Sequence, residues 1–149
     1  MLGILNETEI ETLLHAEVTG RIGCHADGRT YVVPVTYAYH DGCVYGHSGH
    51  GLKLQMMRHS PEVCFEVEHL EDLARWRSVI AWGRFEELHG AEAAVGMQRL
   101  LDRLRPLMVS ATARPSHGTS HGHGADVHGQ QAVVYRIRLS EKTGRFEER

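Results

Sequence analysis

Two Asp-Gly pairs, at positions 27–28 and 41–42, constrain the fold of this chain more than any other feature. Asp-Gly between β-prone runs is typical of a two-residue hairpin turn, because such a turn needs positive φ angles that Gly adopts freely. The runs around the two turns are residues 21–25, 30–39 and 43–47. The sequence therefore predicts a three-stranded antiparallel meander.

The middle run, residues 30–39, is largely apolar on both faces, so we expect both faces to be covered. Its faces are formed by Tyr31, Val33, Val35, Tyr37 and Tyr39, and by Val32, Pro34, Thr36 and Ala38. Pro34 is the exception, because it cannot donate a ladder hydrogen bond and belongs at an edge, at a bulge or where the strand leaves its neighbour. A gap at that position is a place for a ligand.

The rest of the chain alternates between helical and strand patterns. Asn6 and Glu9 have the spacing of a capping box, which predicts a short N-terminal helix. Further helices are predicted at 52–59 and 91–105, and further strands at 63–67, 77–88 and 132–139. About six strands and three helices predict a mainly β protein, a small antiparallel barrel with helical additions.

Composition and charge limit the function classes. A chain of 149 residues fits one domain, 1–149, and a formal net charge of −3 with scattered Lys and Arg lacks the basic footprint of a nucleic-acid binder. No apolar run approaches the roughly 18 to 20 residues that span a bilayer, and the acidic N-terminus is unlike a signal peptide. We therefore expect a cytoplasmic protein without nucleic-acid or membrane partners. Cys24, Cys43 and Cys64 form no C-x-x-C motif, so we expect buried small side chains instead of disulfides or a zinc site.

Residues 110–130 are rich in Gly, Ser and His and show no periodicity, which predicts a mobile loop. Clustered imidazoles can bind zinc, copper or nickel. Metal sites are normally held by rigid elements, however, and the glycines here provide none, so compositional bias is the preferred interpretation and no metal site is predicted. The histidines concerned are His117, His121, His123 and His128.

The stretch 45–53 leaves a strand, passes through three glycines and enters a helix. Glycines let the backbone approach a ligand closely, and the N–H groups at a helix start point toward negative charge. Ser48 and Lys53 add a hydroxyl group and a cation, so the stretch has the parts of a phosphate site. An ordinary capped turn is the alternative.

A set of motifs in this order resembles the flavin-nucleotide-binding branch of the pyridoxamine 5′-phosphate oxidase-like split barrels, and within it the nitroimidazole-resistance proteins. The similarity covers nearly the whole chain, and the combined spacing of the motifs is more specific than any one of them. The motifs lie at 31–35, 41–45, 47–53, 58, 61–67, 78–84 and 140–145.

The resemblance implies a six-stranded split barrel that forms a homodimer and binds two FMN molecules at the subunit interface. It implies that backbone groups of Val33, Pro34, Val35 and Thr36 hold the flavin ring. It assigns the phosphate to His47, Ser48 and Lys53, and the partner chain's side of the ring to Trp76, Arg77 and Ser78. No match to the substrate-binding C-terminus of true pyridoxamine 5′-phosphate oxidases is found, which disfavours vitamin B6 oxidation.

Gly46 and His47 each have a specific expected role in the site. Gly46 stands where the resemblance leads us to expect an aromatic residue, and its small size is expected to enlarge the pocket. His47 is the candidate catalytic residue, because an imidazole beside a flavin can donate a proton to a reduced substrate near neutral pH, or bind the substrate's carboxylate. The structural alternative is a strand-end histidine that hydrogen-bonds the phosphate or a neighbouring carbonyl.

Three function classes stay open at this stage. The leading hypothesis is an FMN-dependent oxidoreductase that reduces a small electron-poor compound, such as a nitroaromatic or a quinone. The second is a haem-binding or haem-handling barrel, which the twelve histidines would permit. The third is a flavin-binding redox module without turnover. A visible spectrum of the purified protein separates flavin from haem.

Overall fold

The computed structural model describes residues 1–108 and 132–149, and these contain eight β-strands and three α-helices. The strands are β1 (Leu2–Ile4), β2 (Thr19–Ala26), β3 (Arg29–Thr36), β4 (Ala38–His40), β5 (Cys43–Ser48), β6 (Glu62–Asp72), β7 (Arg75–Glu87) and β8 (Val133–Glu147). The helices are α1 (Glu7–Ala16), α2 (Leu52–His59) and α3 (Gly90–Leu104), with a short 3₁₀ helix at Arg105–Leu107. The loop predicted at 110–130, with its four histidines, lies outside the described residues.

All the strands belong to one antiparallel sheet. Its order is β3, β2, β6, β7, β8, β5, β4, and β1 pairs with β8 outside this order. The two ends of the order, β3 and β4, are joined in the chain by the single residue Tyr37. The sheet therefore curls into a barrel through one bent strand, and the prediction of a mainly β antiparallel barrel with flanking helices is confirmed. Among the described helices, none is long and apolar enough to cross a membrane.

The predicted count of six strands is wrong, because the sheet has eight. The run at 30–39 divides at Tyr37, whose backbone N–H donates to the Val18 carbonyl at 2.9 Å and whose phenol donates to the Leu14 carbonyl at 2.7 Å. These bonds hold the bend, so the first half of the run pairs with β2 and the second half with β5. The two hairpins therefore stand at opposite ends of the sheet order instead of forming a meander. The other strand that the prediction missed is β1, which has only three residues, too few for a recognisable alternation of apolar and polar positions.

The local turn and capping predictions are confirmed. Asp27 and Gly28 have φ angles of 53° and 75°, and Asp41 and Gly42 have 48° and 76°, as a two-residue hairpin turn requires. At the start of α1, the Asn6 side chain accepts from the backbone of Glu9, and the Glu9 side chain accepts from the backbone of Asn6. Each of these signals depends on two to four adjacent residues, so no distant contact was needed to predict it.

The apolar core has two parts. The larger part fills the barrel and includes Tyr37, Phe65 and Tyr135, all almost completely buried. The smaller part lies outside the barrel, where α3 packs on β4, β5 and β8. Along β5, Val44 belongs to the barrel interior, whereas Cys43 and Tyr45 belong to the cluster under α3. Successive residues of β5 therefore face opposite ways, as the strand pleat dictates.

The outer face of β3, β2, β6 and β7 is exposed in the single chain. Val32 is 61% exposed, and Ile80 and Trp82 are each 41% exposed. Register places Val32 beside Gly23, and then Cys64 and Trp82 in the same row. The prediction that both faces of the 30–39 run are covered is therefore wrong for one chain. Cys64 is half-buried on this face, whereas Cys24 and Cys43 are buried as predicted.

Candidate functional site

The barrel is split between β3 and β5. Pairing of β4 with β5 runs from His40 opposite Cys43 to Ala38 opposite Tyr45, and then stops. Beyond Tyr37 the strand pairs with β2 instead, so β3 and β5 diverge. The same hairpin register, continued by two residues, would bring Thr36 opposite His47. Two groups of residues predicted to bind the cofactor, 33–36 and 47–48, thus line opposite sides of this split.

The alternation of the β2–β3 ladder decides which backbone groups face the split. The Tyr37 N–H donates toward β2, and bonding residues alternate along an antiparallel pair, so Val33 and Val35 also direct their backbone groups to β2. Pro34 and Thr36 direct theirs to the open edge, where the missing N–H of Pro34 costs no ladder bond. The predicted edge position of Pro34 is confirmed. Val35 is buried in the core, and the Pro34 and Thr36 side chains are exposed.

A glycine turn connects β5 to α2 beside the split. Gly51 is the N-cap of α2, in an extended conformation (φ −117°, ψ −171°), and no side chain caps the helix. The Ser48 hydroxyl donates to the Gly49 carbonyl at 2.8 Å, and the Gly51 N–H donates to the same carbonyl at 3.0 Å. The turn is therefore held by its own bonds, while the first N–H groups of α2 receive no side-chain acceptor.

Lys53 lies in the first turn of α2 with its side chain half-buried. Its ammonium nitrogen is 5.7 Å from the centroid of the Tyr135 ring, a cation–π distance. Burial lowers the pKa of Lys53 from its ordinary value, and the nearby Cys24 thiol acts in the opposite direction. Within the residues that the structure describes, no carboxylate forms an ion pair with Lys53. The ammonium group thus carries a desolvation cost that no described carboxylate offsets.

Gly46 does not enlarge the pocket, contrary to the prediction. It pairs with Tyr135 of β8, and a Cβ atom built on Gly46 would lie 2.5 Å from the Tyr135 hydroxyl and 2.6 Å from its ring. The Tyr135 ring fills the space that the absent side chain leaves. An aromatic ring is present at this point of the barrel, as the resemblance led us to expect, but it comes from the neighbouring strand.

Tyr135 is the residue that sequence reasoning missed. It is 1% exposed, it lies under Gly46 and within cation–π distance of Lys53, and burial raises the pKa of its phenol. Alternation along β8 indicates that it faces the barrel. Its place beside Gly46 depends on the register between β5 and β8, which are far apart in the sequence, and no local motif encodes that register.

The predicted partner-side residues are not brought to the split within one chain. Trp76 pairs with Glu147 at the end of β8, whereas Ser48 pairs with Val133 at its start. Arg77 and Ser78 follow Trp76 along the same end of β7. The chain therefore places this trio and the glycine turn at opposite ends of β8.

His47 lies on the outer face of the barrel at the rim of the split. It is half-buried, pairs with Val134 of β8, and by the alternation along β5 shares the α3-facing side with Tyr45. This position suits an imidazole that reaches a small molecule in the split from outside the core. Within the described residues no group of three or more His, Cys, Asp or Glu is arranged to hold a metal ion.

Comparison with known proteins shows one family over nearly the whole chain. The family model described as pyridoxamine 5′-phosphate oxidase matches residues 6–146. An uncharacterized protein of Rhizobium meliloti strain 1021 is 31% identical over 85 residues, a match that spans 57% of this chain and 56% of that protein. This chain therefore aligns with little more than half of that relative's length.

Two solved structures have folds similar to that of this chain. A protein of Mesorhizobium loti named as FAD-binding is 28% identical, with a TM-score of 0.80 and 99% of each chain covered. A protein of Bacteroides thetaiotaomicron, named as a candidate 5-nitroimidazole antibiotic resistance protein, is 18% identical, with a TM-score of 0.72, and the match covers 98% of this chain and 87% of that one. The similarity to the second structure concerns the fold alone.

Proposed function

We propose that this chain, which belongs to the pyridoxamine 5′-phosphate oxidase family, binds FMN in the split between β3 and β5. We propose further that it is an FMN-dependent oxidoreductase for a small electron-poor compound of the nitroaromatic or quinone type. A bound flavin supplies two-electron redox chemistry between a donor and such an acceptor. The protein's own contribution is binding, orientation and proton supply.

The half-buried ammonium of Lys53 is the observation that carries this proposal. A buried cation normally has an anionic partner, and the described residues offer Lys53 none. The uncapped start of α2 lies in the same turn, so a phosphate there would satisfy both the ammonium and the helix N–H groups. The phosphate of FMN fits this donor set.

The edge of β3 suits the polar edge of a flavin ring, which alternates carbonyl acceptors with an N–H donor. Thr36 directs a backbone N–H into the split, and Pro34 directs only a carbonyl. These two groups would hold the ring by donating to it and accepting from it. His47, at the opposite rim, would donate a proton to a substrate that has gained electrons.

We also propose a homodimer, because one chain leaves two features incomplete. The outer face around Val32, Ile80 and Trp82 exposes apolar surface that a second copy would cover. Trp76, Arg77 and Ser78 reach the split only if a partner chain supplies them. The Mesorhizobium loti relative named as FAD-binding supports a flavin at this fold without deciding between FMN and FAD.

The first test is the visible spectrum of the protein purified without an affinity tag. A two-band flavin spectrum is expected, whereas a Soret band would favour the haem-binding hypothesis over the flavin one. Anaerobic reduction of the bound flavin, followed by addition of a nitroaromatic or a quinone, then tests turnover. Reoxidation coupled to loss of the added compound is expected, and a flavin that stays reduced would leave the non-catalytic redox module as the better account.

A further inference from the structure

Arg99 of α3 lacks a polar partner. Its Nε atom is buried, and within the described residues it donates no hydrogen bond and joins no ion pair. The guanidinium carbon lies 5.5 Å from the centroid of the Tyr45 ring, so the contact of the charged group with the described part of the chain is with a ring face. A buried N–H without an acceptor is costly and calls for an explanation.

Three other arginines of the described helices and strands have acceptors within the protein itself. Arg103, one turn after Arg99, donates to the carbonyls of His15 and Ala16. Arg136 pairs with Glu86 at 2.8 Å, and Arg58 pairs with Glu87. Among residues 1–108 and 132–149, Arg99 by contrast has a buried Nε without an acceptor.

Arg99 and His47 lie on the same outer face, beside the split. Val134, the register partner of His47, would be 3.0 Å from a Cβ atom on Gly96, one helical turn before Arg99. Tyr45, under the Arg99 guanidinium, is two residues before His47 on the same face of β5. Helix α3 thus brings an unpartnered guanidinium near the imidazole at the rim of the split.

We infer that Arg99 binds the carboxylate of the substrate, so that the electron-poor compounds reduced here are aromatic acids. This inference rests on the proposed function, whose substrate class it narrows. The Nε and one Nη of a guanidinium form a planar fork that matches the two oxygens of a carboxylate. Tyr45 orients the fork, and His47, two residues after Tyr45 on the same face of β5, would add a second polar contact to the same ligand.

The test compares 4-nitrobenzoate with its neutral isostere, 4-nitrobenzamide, by calorimetric titration of the protein as purified. We expect wild type to bind the acid about tenfold or more tightly than the amide, because only the acid forms a hydrogen-bonded charge pair with Arg99. Arg99→Gln should abolish this preference, because it should lower the affinity for the acid and leave the affinity for the amide unchanged. Arg105→Gln, which removes the same charge from an exposed residue beyond α3, should keep it. Equal binding of acid and amide to wild type, or a preference that survives in Arg99→Gln, would overturn the assignment.

Thermal unfolding without ligand gives an independent readout. Arg99→Met keeps the apolar stem over Tyr45 and removes the unsatisfied donor, so its melting temperature should equal or exceed that of wild type. A clear loss of stability would make Arg99 a packing residue and would also overturn the proposal. Flavin content is measured on the same samples. Failure of the proposed function appears as absent flavin, whereas failure of this inference appears as lost acid preference or lost stability with flavin present.

Discussion

At the scale of single residues, Lys53 and Gly46 connect the sequence to the site most directly. Lys53 places a cation in a half-buried position where none of the described carboxylates pairs with it, and Gly46 makes room for the ring over which that cation lies. Both residues stand in one short segment of sequence. Their roles differ, because Lys53 acts on a ligand and Gly46 acts on the packing of Tyr135.

The lowered pKa of Lys53 predicts a pH-dependent stability of the flavin-free protein. Burial lowers the folded-state pKa, so between that value and the unfolded value of about 10.4 the unfolded chain holds more protons. The free energy of unfolding of wild type, relative to Lys53→Met, should therefore rise with pH in this alkaline window. Urea unfolding of both proteins from pH 7 to 10 measures the difference. A difference that is constant with pH would contradict the desolvated ammonium, and added FMN should flatten the wild-type rise.

Gly46→Ala should destabilise the fold by about 1 to 3 kcal/mol, the usual cost of overpacking a buried site. The added methyl group would meet the Tyr135 ring at 2.6 Å, and that ring is 1% exposed and lies 5.6 Å from the Phe85 ring, so it has little room to move. Gly46→Ala in a Tyr135→Leu background is the control, because the ring that the new Cβ atom would meet is then absent. Denaturant unfolding should show a loss when Gly46→Ala is made in wild type and almost none when it is made in Tyr135→Leu; equal losses in both would show that the Tyr135 ring moves aside.

At the scale of elements, adjacency in the sequence separates what was predictable from what was not. Both hairpins, the α1 cap and α2 follow from a few neighbouring residues, and the structure has all of them. The division of the long strand at Tyr37 depends on a bond to Val18 and on Leu14, which no pattern in the strand reveals. The pairing of Gly46 with Tyr135 likewise depends on a distant register. The glycine turn that leads into α2 was therefore predictable, whereas the shape of the split beside it was not.

The capping box predicts an effect confined to α1. Asn6→Ala removes the acceptor for the Glu9 N–H, 2.9 Å away, and should cost about 1 kcal/mol, while Asn6→Asp should retain most of the cap. Calorimetric melting measures the loss, and flavin content should be unchanged because the cap lies about two turns before Leu14, the α1 residue that bonds Tyr37 at the split. Loss of flavin in Asn6→Ala would mean that α1 contributes to the site.

At the scale of the whole molecule, the exposed apolar face is the feature that one chain does not explain. Trp82→Arg places a charge in the centre of this face, and we expect it to convert a dimer into monomers and to release the flavin with them. Leu73→Arg is the control, since Leu73 is 87% exposed at the turn after β6. Sedimentation velocity with detection at flavin wavelengths follows both quantities. A Trp82→Arg monomer that keeps its flavin would contradict a site shared between chains.

Titration of flavin-free protein with FMN and riboflavin tests the central claim, a phosphate held by Lys53, most directly. Wild type should bind FMN more tightly than riboflavin. Lys53→Ala should lower the affinity for FMN by roughly tenfold to over a hundredfold, because the phosphate loses a charged hydrogen-bond partner. Lys142→Ala removes the chain's other lysine, which pairs with Glu11, and should lower stability without changing FMN affinity. FAD, titrated in the same series, should bind less tightly than FMN. Equal affinities of wild type for FMN and riboflavin, or an FMN affinity unchanged in Lys53→Ala, would contradict the account.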